Sequence, residues 1–175
     1  MKCTTTNILY KWAEDKKTKI GEIELVKEPK RDVRWAKCLV SGPDSVIKPG
    51  DDMLLSARVV SYVFSHKGEE YMNTSDDSTL CYKHNGKLEA TTDHLILEWL
   101  ESFEEVSEGG IVIIRKEINK ETIVRRAKVI AAGPRCNVKE NDIIFAAYNK
   151  DAYELLIDGK IYRNADDNAV ICVEE

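Results

Sequence analysis

Three pairs of adjacent aspartates are the residues of this chain whose spacing could support acid–base chemistry. They are Asp51-Asp52, Asp76-Asp77 and Asp166-Asp167. Two neighbouring carboxylates can hold different protonation states, so that one donates a proton while the other accepts one. The pairs stand beside Asn, Ser or Gly, however, and such residues favour turns. We therefore expect these aspartates to shape turns.

The histidines and cysteines show no spacing typical of a metal site or a nucleophile. His66, His84 and His94 lack HxH or HxxxH spacing, and no GxxxxGK[ST] loop is present for a nucleotide. The cysteines form no CxxC pair, which favours free thiols packed as small hydrophobes. They are Cys3, Cys38, Cys81, Cys136 and Cys172. We expect no metal, no cofactor and no enzymatic activity.

The charge balance and the apolar runs argue against two classes of partner. Acidic side chains number 31 and basic ones 26, a net charge of −5, whereas nucleic-acid surfaces need clustered lysine and arginine. No apolar run approaches the ~20 residues that cross a bilayer. The first residues lack the apolar core of a signal peptide and the arginine-rich character of a transit peptide. We expect a cytoplasmic protein that binds no nucleic acid and no membrane.

The stretch SEGGIVIIRKE, residues 107–117, could bind another protein. Two glycines are followed there by a run of aliphatic side chains, and several glutamates precede them. Glycines widen the range of backbone conformations, and the glutamates would keep an exposed apolar segment soluble. Taken alone, the stretch favours a turn that leads into a buried strand. The organisation of the whole chain changes that preference.

The chain contains an internal duplication. A shift of 91 positions places VRWAKCLVSGP (33–43) on VRRAKVIAAGP (124–134), and identical residues continue as far as Cys81 and Cys172. Upstream, a shorter offset matches NILYKW with HLILEW and GEIELVKE with GIVIIRKE. A fixed internal period is the sequence signature of duplicated structural units.

The duplication sets the domain boundaries. We predict a first domain at 1–84 and a second at 93–175. The polar segment 85–92 is predicted to link them, and it contains the turn-forming pair Asn85-Gly86.

Each copy has the pattern of an all-β fold. Short runs rich in valine, isoleucine, leucine and tyrosine are separated by turn residues every eight to twelve positions or so. LLIDGKIY holds an Asp-Gly pair between apolar residues, which is typical of a two-residue hairpin. No long segment shows sustained helical periodicity. Two small, irregular β-barrels in tandem are the predicted fold.

The second copy resembles the GroES-type co-chaperonins in the order of its features. In sequence these are an opening strand, a mobile loop, the chaperonin-binding tip of that loop, a strand with its turn, and the segment that enters the next strand. The matching segments are DHLILEW (93–99), LESFEEVSE (100–108), GGIVI (109–113), RAKVIAAGP (126–134) and VKENDIIF (138–145, with Asn141 in place of a glycine). The resemblance extends through the closing hairpin to residue 175 and, through the repeat, to most of 7–82.

The resemblance implies two tandem GroES-like barrels and a non-enzymatic function. A co-chaperonin caps an ATP-driven chaperonin ring and assists protein folding in the closed chamber. The implied partners are the chaperonin ring in its ATP-bound state, an unfolded substrate protein held indirectly, and further copies of the chain in a homo-oligomeric ring. The chaperonin-binding residues that the family motif implies are Gly109, Gly110, Ile111, Val112 and Ile113. In the family the first and last strands hold the ring, which makes 93–99 and 169–173, or their counterparts in the first copy, candidates for subunit contacts.

Two departures from the family pattern matter. Only four residues, 44–47 and 135–138, stand where the family has its roof hairpin, and this shortening is similar to the bacteriophage-type co-chaperonins. A phage-encoded chain would act in the host cytoplasm.

In the first copy the tip reads IGEIELV, where Glu22 and Glu24 interrupt the aliphatic run. Burying a carboxylate in an apolar groove costs several kcal/mol, so we expect this copy to have lost the chaperonin contact.

Two other classes of function are weighed against this one. A structural or adaptor protein, for example of phage type, could use duplicated β-barrels without a chaperonin contact. An enzyme of the alcohol-dehydrogenase type, which shares a GroES-like domain, is disfavoured because the chain has no GxGxxG, no length for a cofactor domain and no set of zinc ligands.

Overall fold

The fold is all-β, which confirms the fold class predicted from the sequence. The structure is a computed structural model that describes the chain except for residues 14–17, 21–22, 26–32, 57–61, 101–104, 107–111, 114–122, 149–152 and 175. The chain divides into two compact units, Met1–Thr91 and Thr92–Glu175. The helical elements among the described residues are two short 3-10 turns, Asp76–Ser78 and Asp167–Ala169, and no described helix could span a membrane.

The first unit contains a seven-stranded antiparallel sheet and a separate two-stranded sheet. Its strands are β1 (Asn7–Trp12), β2 (Thr18–Ile20), β3 (Ile23–Leu25), β4 (Val33–Ser41), β5 (Asp52–Ser56), β6 (Val63–His66), β7 (Glu69–Ser75), β8 (Thr79–His84) and β9 (Lys87–Ala90). The large sheet has the order β6-β7-β1-β4-β5-β8-β9, and the small sheet pairs β2 with β3.

The described residues of the second unit repeat this arrangement as far as β17 (Val170–Val173), the counterpart of β8. Its strands are β10 (His94–Trp99), β11 (Glu105–Val106), β12 (Val112–Ile113), β13 (Ile123–Ala132), β14 (Ile143–Tyr148), β15 (Glu154–Ile157), β16 (Lys160–Asp166) and β17 (Val170–Val173). The large sheet has the order β15-β16-β10-β13-β14-β17, and the small sheet pairs β11 with β12.

The two large sheets also share one pairing register. β1 carries a bulge between Leu9 and Tyr10, and β10 carries the same bulge between Ile96 and Leu97. From β4 onward the residue pairs of one sheet recur in the other 91 positions later. A one-residue slip would exchange the two faces of a strand, so the matching registers show that the duplicated sequence specifies one sheet twice.

Two-residue turns with positive φ close three of the hairpins. They are Lys67-Gly68, Asn85-Gly86 and Asp158-Gly159. Positive φ at both central residues is typical of a type I′ turn, which matches the twist of the flanking strands. The last of the three confirms the hairpin predicted in LLIDGKIY. The turn at Asn85-Gly86 lies within the segment predicted as a linker, and there it returns the chain along β8 as strand β9.

Each unit has its own apolar core, and the core positions correspond. The first core comprises Ile8, Tyr10, Ala36, Cys38, Ile47, Met53, Leu55 and Tyr82. The second comprises Leu95, Leu97, Ala127, Val129, Val138, Ile144 and Ala146. One position departs from the correspondence: Tyr82 is buried, whereas Val173 at the equivalent position of β17 is 45% exposed.

The connections from β4 to β5 and from β13 to β14 contain turns and no strand, as their short length predicts. One apolar residue of each connection, Ile47 or Val138, is buried in the core of its unit. Gly50 and Asn141 hold the equivalent left-handed position, with φ of 97° and 76°. Asparagine is among the few residues that tolerate this conformation, which explains how Asn141 replaces a glycine.

One expectation about subunit contacts is wrong. The resemblance implies that residues 93–99 offer a free strand edge, but β10 pairs with β13 on one side and with β16 on the other. The backbone of residues 95–97 is paired on both sides within the sheet, so this part of β10 is not an edge that could pair with another copy. The sheet ends instead at β15 and β17, so the candidate segment 169–173 does contain an edge strand.

Candidate functional site

A two-stranded hairpin lies in the chain between β10 and β13, two neighbouring inner strands of the second unit's large sheet. β11 and β12 pair antiparallel, with Glu105 opposite Ile113 and Val106 opposite Val112. They form a sheet of their own, distinct from the six-stranded sheet. The chain therefore leaves the large sheet after β10, makes a hairpin and returns at β13.

The base of this hairpin is fixed by the sheet. β10 and β13 pair up to Trp99 opposite Ala127, and the N–H of Leu100 donates to the carbonyl of Arg126 at 3.1 Å. Because the two strands are neighbours, both ends of the excursion emerge side by side.

The structure covers only part of the predicted binding tip. Gly109, Gly110 and Ile111 lie outside the described residues. Val112 and Ile113 form β12, of which the backbone alone is described. Of the predicted tip, the structure therefore describes the two residues of β12.

The first unit carries the equivalent hairpin with a different connection. Its base is held in the same way, since the N–H of Ala13 donates to the carbonyl of Trp35 at 3.0 Å. Residues 21–22 connect β2 to β3, whereas 107–111 connect β11 to β12. β3 contains Glu24 at the position equivalent to Ile113. The two hairpins therefore have the same place in the strand order of their units, between the first and the fourth strand. They differ in the length of the connection and in the charge of the tip residues.

An aromatic cluster supports the base of the first hairpin. The rings of Tyr10 and Trp12 meet edge to face with centroids 5.1 Å apart, and the guanidinium of Arg34 lies 5.0 Å from the centre of the Trp12 ring. Edge-to-face and cation–π contacts of this kind each contribute about 0.5–1.5 kcal/mol. This hairpin keeps a well-packed base even though its tip carries glutamate.

The outer edges of the two sheets differ at their last common strand. In the first unit β9 covers the edge of β8, and Leu80 and Tyr82 are only 5% and 6% exposed. In the second unit β17 is the edge, and Ile171 and Val173 are 57% and 45% exposed. An uncovered, apolar edge strand is a template for pairing with another chain.

The aspartates singled out in the sequence have structural partners. Oδ2 of Asp51 accepts the N–H of Lys48 at 2.8 Å, and its Oδ1 lies 2.9 Å from Nδ1 of His84. Oδ1 of Asp166 lies 2.9 Å from Nδ1 of His94. Within the described part of the chain, no three histidine, cysteine, aspartate or glutamate side chains are grouped to hold a metal ion. Because Asp51 accepts the backbone N–H of Lys48, three residues before it, the turn interpretation is confirmed for this aspartate.

Sequence reasoning missed strand β11. The segment LESFEEVSE was interpreted as a loosely patterned acidic loop, yet Glu105–Val106 within it form the strand that pairs with the tip. A two-residue strand is too short to show alternation of apolar and polar residues. The lone β-branched residue Val106 among glutamates is the only local signal of this strand.

No model of a known protein family matches the chain, and no curated protein matches it. Its function is therefore inferred from its own residues and geometry.

Proposed function

We propose that the chain is a co-chaperonin that closes an ATP-driven chaperonin ring and assists protein folding in the closed chamber. Each unit would be a GroES-like barrel. The observation that carries the proposal is the hairpin between β10 and β13, whose base is held in the sheet and whose connection and second strand contain GGIVI. This is the position and composition expected of a loop that inserts an apolar tip into a partner.

The two hairpins would divide their roles. The second offers three consecutive aliphatic residues at 111–113, whereas the first offers Glu22, Ile23 and Glu24 at the matching positions. An unpaired carboxylate taken into an apolar groove costs several kcal/mol. Only the second hairpin is therefore suited to the chaperonin, and the first unit would serve as a structural tier or a second docking surface.

The energetics require several copies to act together. Burying three aliphatic side chains yields about 5–8 kcal/mol gross, while bringing two proteins together costs an estimated 4–15 kcal/mol. A single hairpin is then a weak ligand. A ring that presents several hairpins to a ring of sites gains about 10²–10⁴ in avidity, and the uncovered edge of β17 supports the assembly of such a ring.

The proposal is tested by capture of the chain on a purified bacterial chaperonin with and without ATP. Wild type is expected to bind only with nucleotide, and Ile111→Asp is expected to lose binding because a carboxylate enters the apolar site. Ile161→Asp is the matched control, because Ile161 is a 65% exposed aliphatic residue of the same unit that lies outside the hairpin. It should bind like wild type.

Binding that needs no nucleotide, or binding by Ile111→Asp at the wild-type level, would refute the chaperonin contact. A chain that assembles into rings and never binds the chaperonin would instead fit a structural or adaptor protein, for which the exposed edge of β17 is the favouring observation.

A further inference from the structure

The register of the second hairpin places an acidic residue opposite the binding tip. Glu105 of β11 stands opposite Ile113 of β12, and Val106 stands opposite Val112. Residues that oppose each other in an antiparallel pair lie on the same face of the sheet. Positions 105 and 113 therefore share one face of the hairpin, and positions 106 and 112 share the other.

The first hairpin has a basic residue at the corresponding position. Lys19 of β2 stands opposite Glu24 of β3, and Glu24 is the residue equivalent to Ile113. In the first hairpin the register thus pairs a carboxylate with a cation of the same chain. In the second hairpin the register pairs Glu105 with an aliphatic residue.

The net charge of the two hairpin segments differs in the same sense. Each segment begins after a residue whose N–H is bonded to the neighbouring strand, Ala13 in the first unit and Leu100 in the second. Residues 14–24 contain four acidic and three basic side chains, whereas residues 101–113 contain four acidic and no basic ones. A surface that carries charge of one sign beside an apolar contact is complementary to a partner surface of the opposite sign.

We infer that the chaperonin site for the second hairpin holds a lysine or arginine beside its apolar groove, and that Glu105 pairs with this cation when Ile113 enters the groove. The inference rests on the proposed function and adds the chemistry of the partner and the residue that recognises it. Because positions 105 and 113 share a face, docking by that face brings Glu105 to the groove. Taking a carboxylate out of water is unfavourable unless a cation accompanies it.

The same cation would discriminate between the two hairpins of the chain. Lys19 occupies in the first hairpin the position that Glu105 occupies in the second, so docking of the first hairpin would bring two positive charges together. Like charges at an interface suppress the wrong partner. The partner's cation would therefore admit the second hairpin and reject the first.

The test measures equilibrium binding of the full chain to ATP-loaded bacterial chaperonin at about 0.1 M and about 1 M salt, where the Debye length is about 10 Å and about 3 Å. Wild type is expected to bind more weakly at the higher salt concentration. At the lower one, Glu105→Lys should lose at least about tenfold in affinity and Glu105→Gln at least about threefold. Glu105→Asp keeps the charge and should keep the salt dependence.

Glu140→Lys is the matched control for the change in net charge. Glu140 is an exposed residue of the same unit, in the connection between β13 and β14 and outside the hairpin. Because an exposed charge away from the contact contributes little, this variant should bind within about twofold of wild type.

The outcomes separate this inference from the proposed function. Binding by Glu105→Lys and Glu105→Gln at the wild-type level in low salt would overturn the inference and indicate docking through the face of Val106 and Val112. Wild-type binding that does not weaken with salt would overturn it as well. If wild type fails to bind with ATP, the proposed function itself is refuted. If wild type binds, Ile111→Asp does not and Glu105→Lys does, only the cation is refuted.

Discussion

The hydroxyl of Ser45 donates a 2.6 Å hydrogen bond to Oδ1 of Asp76, and both side chains are buried. Oδ2 of the same carboxylate accepts the N–H of Val46 at 3.0 Å. In the second unit Asp167 accepts the N–H of Asn137 at 2.9 Å. These aspartates therefore recur because each holds the short connection that follows the fourth strand of its unit.

Asp76→Ala should lower the free energy of unfolding by about 1–3 kcal/mol, because it leaves the backbone N–H of Val46 without its acceptor and leaves the Ser45 hydroxyl only the carbonyl of Ile47. Urea unfolding at neutral pH measures the change. Asp44→Ala is the control, since Asp44 is an exposed residue of the same connection, and its effect should stay within about 0.5 kcal/mol. Equal effects of the two substitutions would contradict the role of Asp76.

Gly42→Ala should destabilise the first unit by about 3 kcal/mol or more. A Cβ at this position would lie 2.0 Å from the carbonyl oxygen of Thr5, so the backbone must move apart, and overpacking of this kind is costly. Gly86→Ala serves for comparison. Gly86 has φ of 81° and open space around it, so its replacement should cost only the ~1–2 kcal/mol of a left-handed alanine. A smaller loss for Gly42→Ala than for Gly86→Ala would refute the close approach.

The buried thiol of Cys81 should make the protein sensitive to alkaline pH. Burial raises the pKa of Cys81 from 9.0 to about 12. Between these values the unfolded chain has released its proton while the folded chain still holds it, so stability is full below pH 9 and falls as the pH rises. The slope from one such group reaches about 1.4 kcal/mol per pH unit.

Urea unfolding from pH 8 to pH 10.5 tests this linkage. Cys81→Ala should lose stability less steeply than wild type, because it lacks the titrating thiol. Cys172→Ala, which removes an exposed thiol, should follow the wild-type slope. Parallel curves for wild type and Cys81→Ala would show that the thiol does not titrate on unfolding.

The sequence predicts the strands and turns better than it predicts the edges. Asp158-Gly159 predicts its hairpin because few residue pairs readily adopt positive φ at both central positions of a turn. The alternation of apolar residues on each side then fixes the register of the two strands. The place of β10 between β13 and β16 could not be read from residues 93–99, because strand order depends on pairings far apart in sequence. β9 was missed for a related reason: its short polar run looks like a linker until it is paired with β8.

At the candidate site, too, some features could be predicted from the sequence and others depended on strand pairing. The contrast between GGIVI and IGEIELV was visible in the sequence, as was the equivalence of the two segments. The partner strand β11 was not, because two residues carry no periodicity. The exposure of Ile171 and Val173 on β17 could not be read from the sequence, because the equivalent Leu80 and Tyr82 on β8 are buried.

The central claim is that the second hairpin binds the chaperonin and the first does not. The most direct test is an exchange of the matching tip residues, Ile111→Glu in one variant and Glu22→Ile in another, with binding to immobilised ATP-loaded chaperonin measured at equilibrium. The account predicts a loss of at least about a hundredfold in affinity for Ile111→Glu and no loss for Glu22→Ile. Full binding by Ile111→Glu would contradict it.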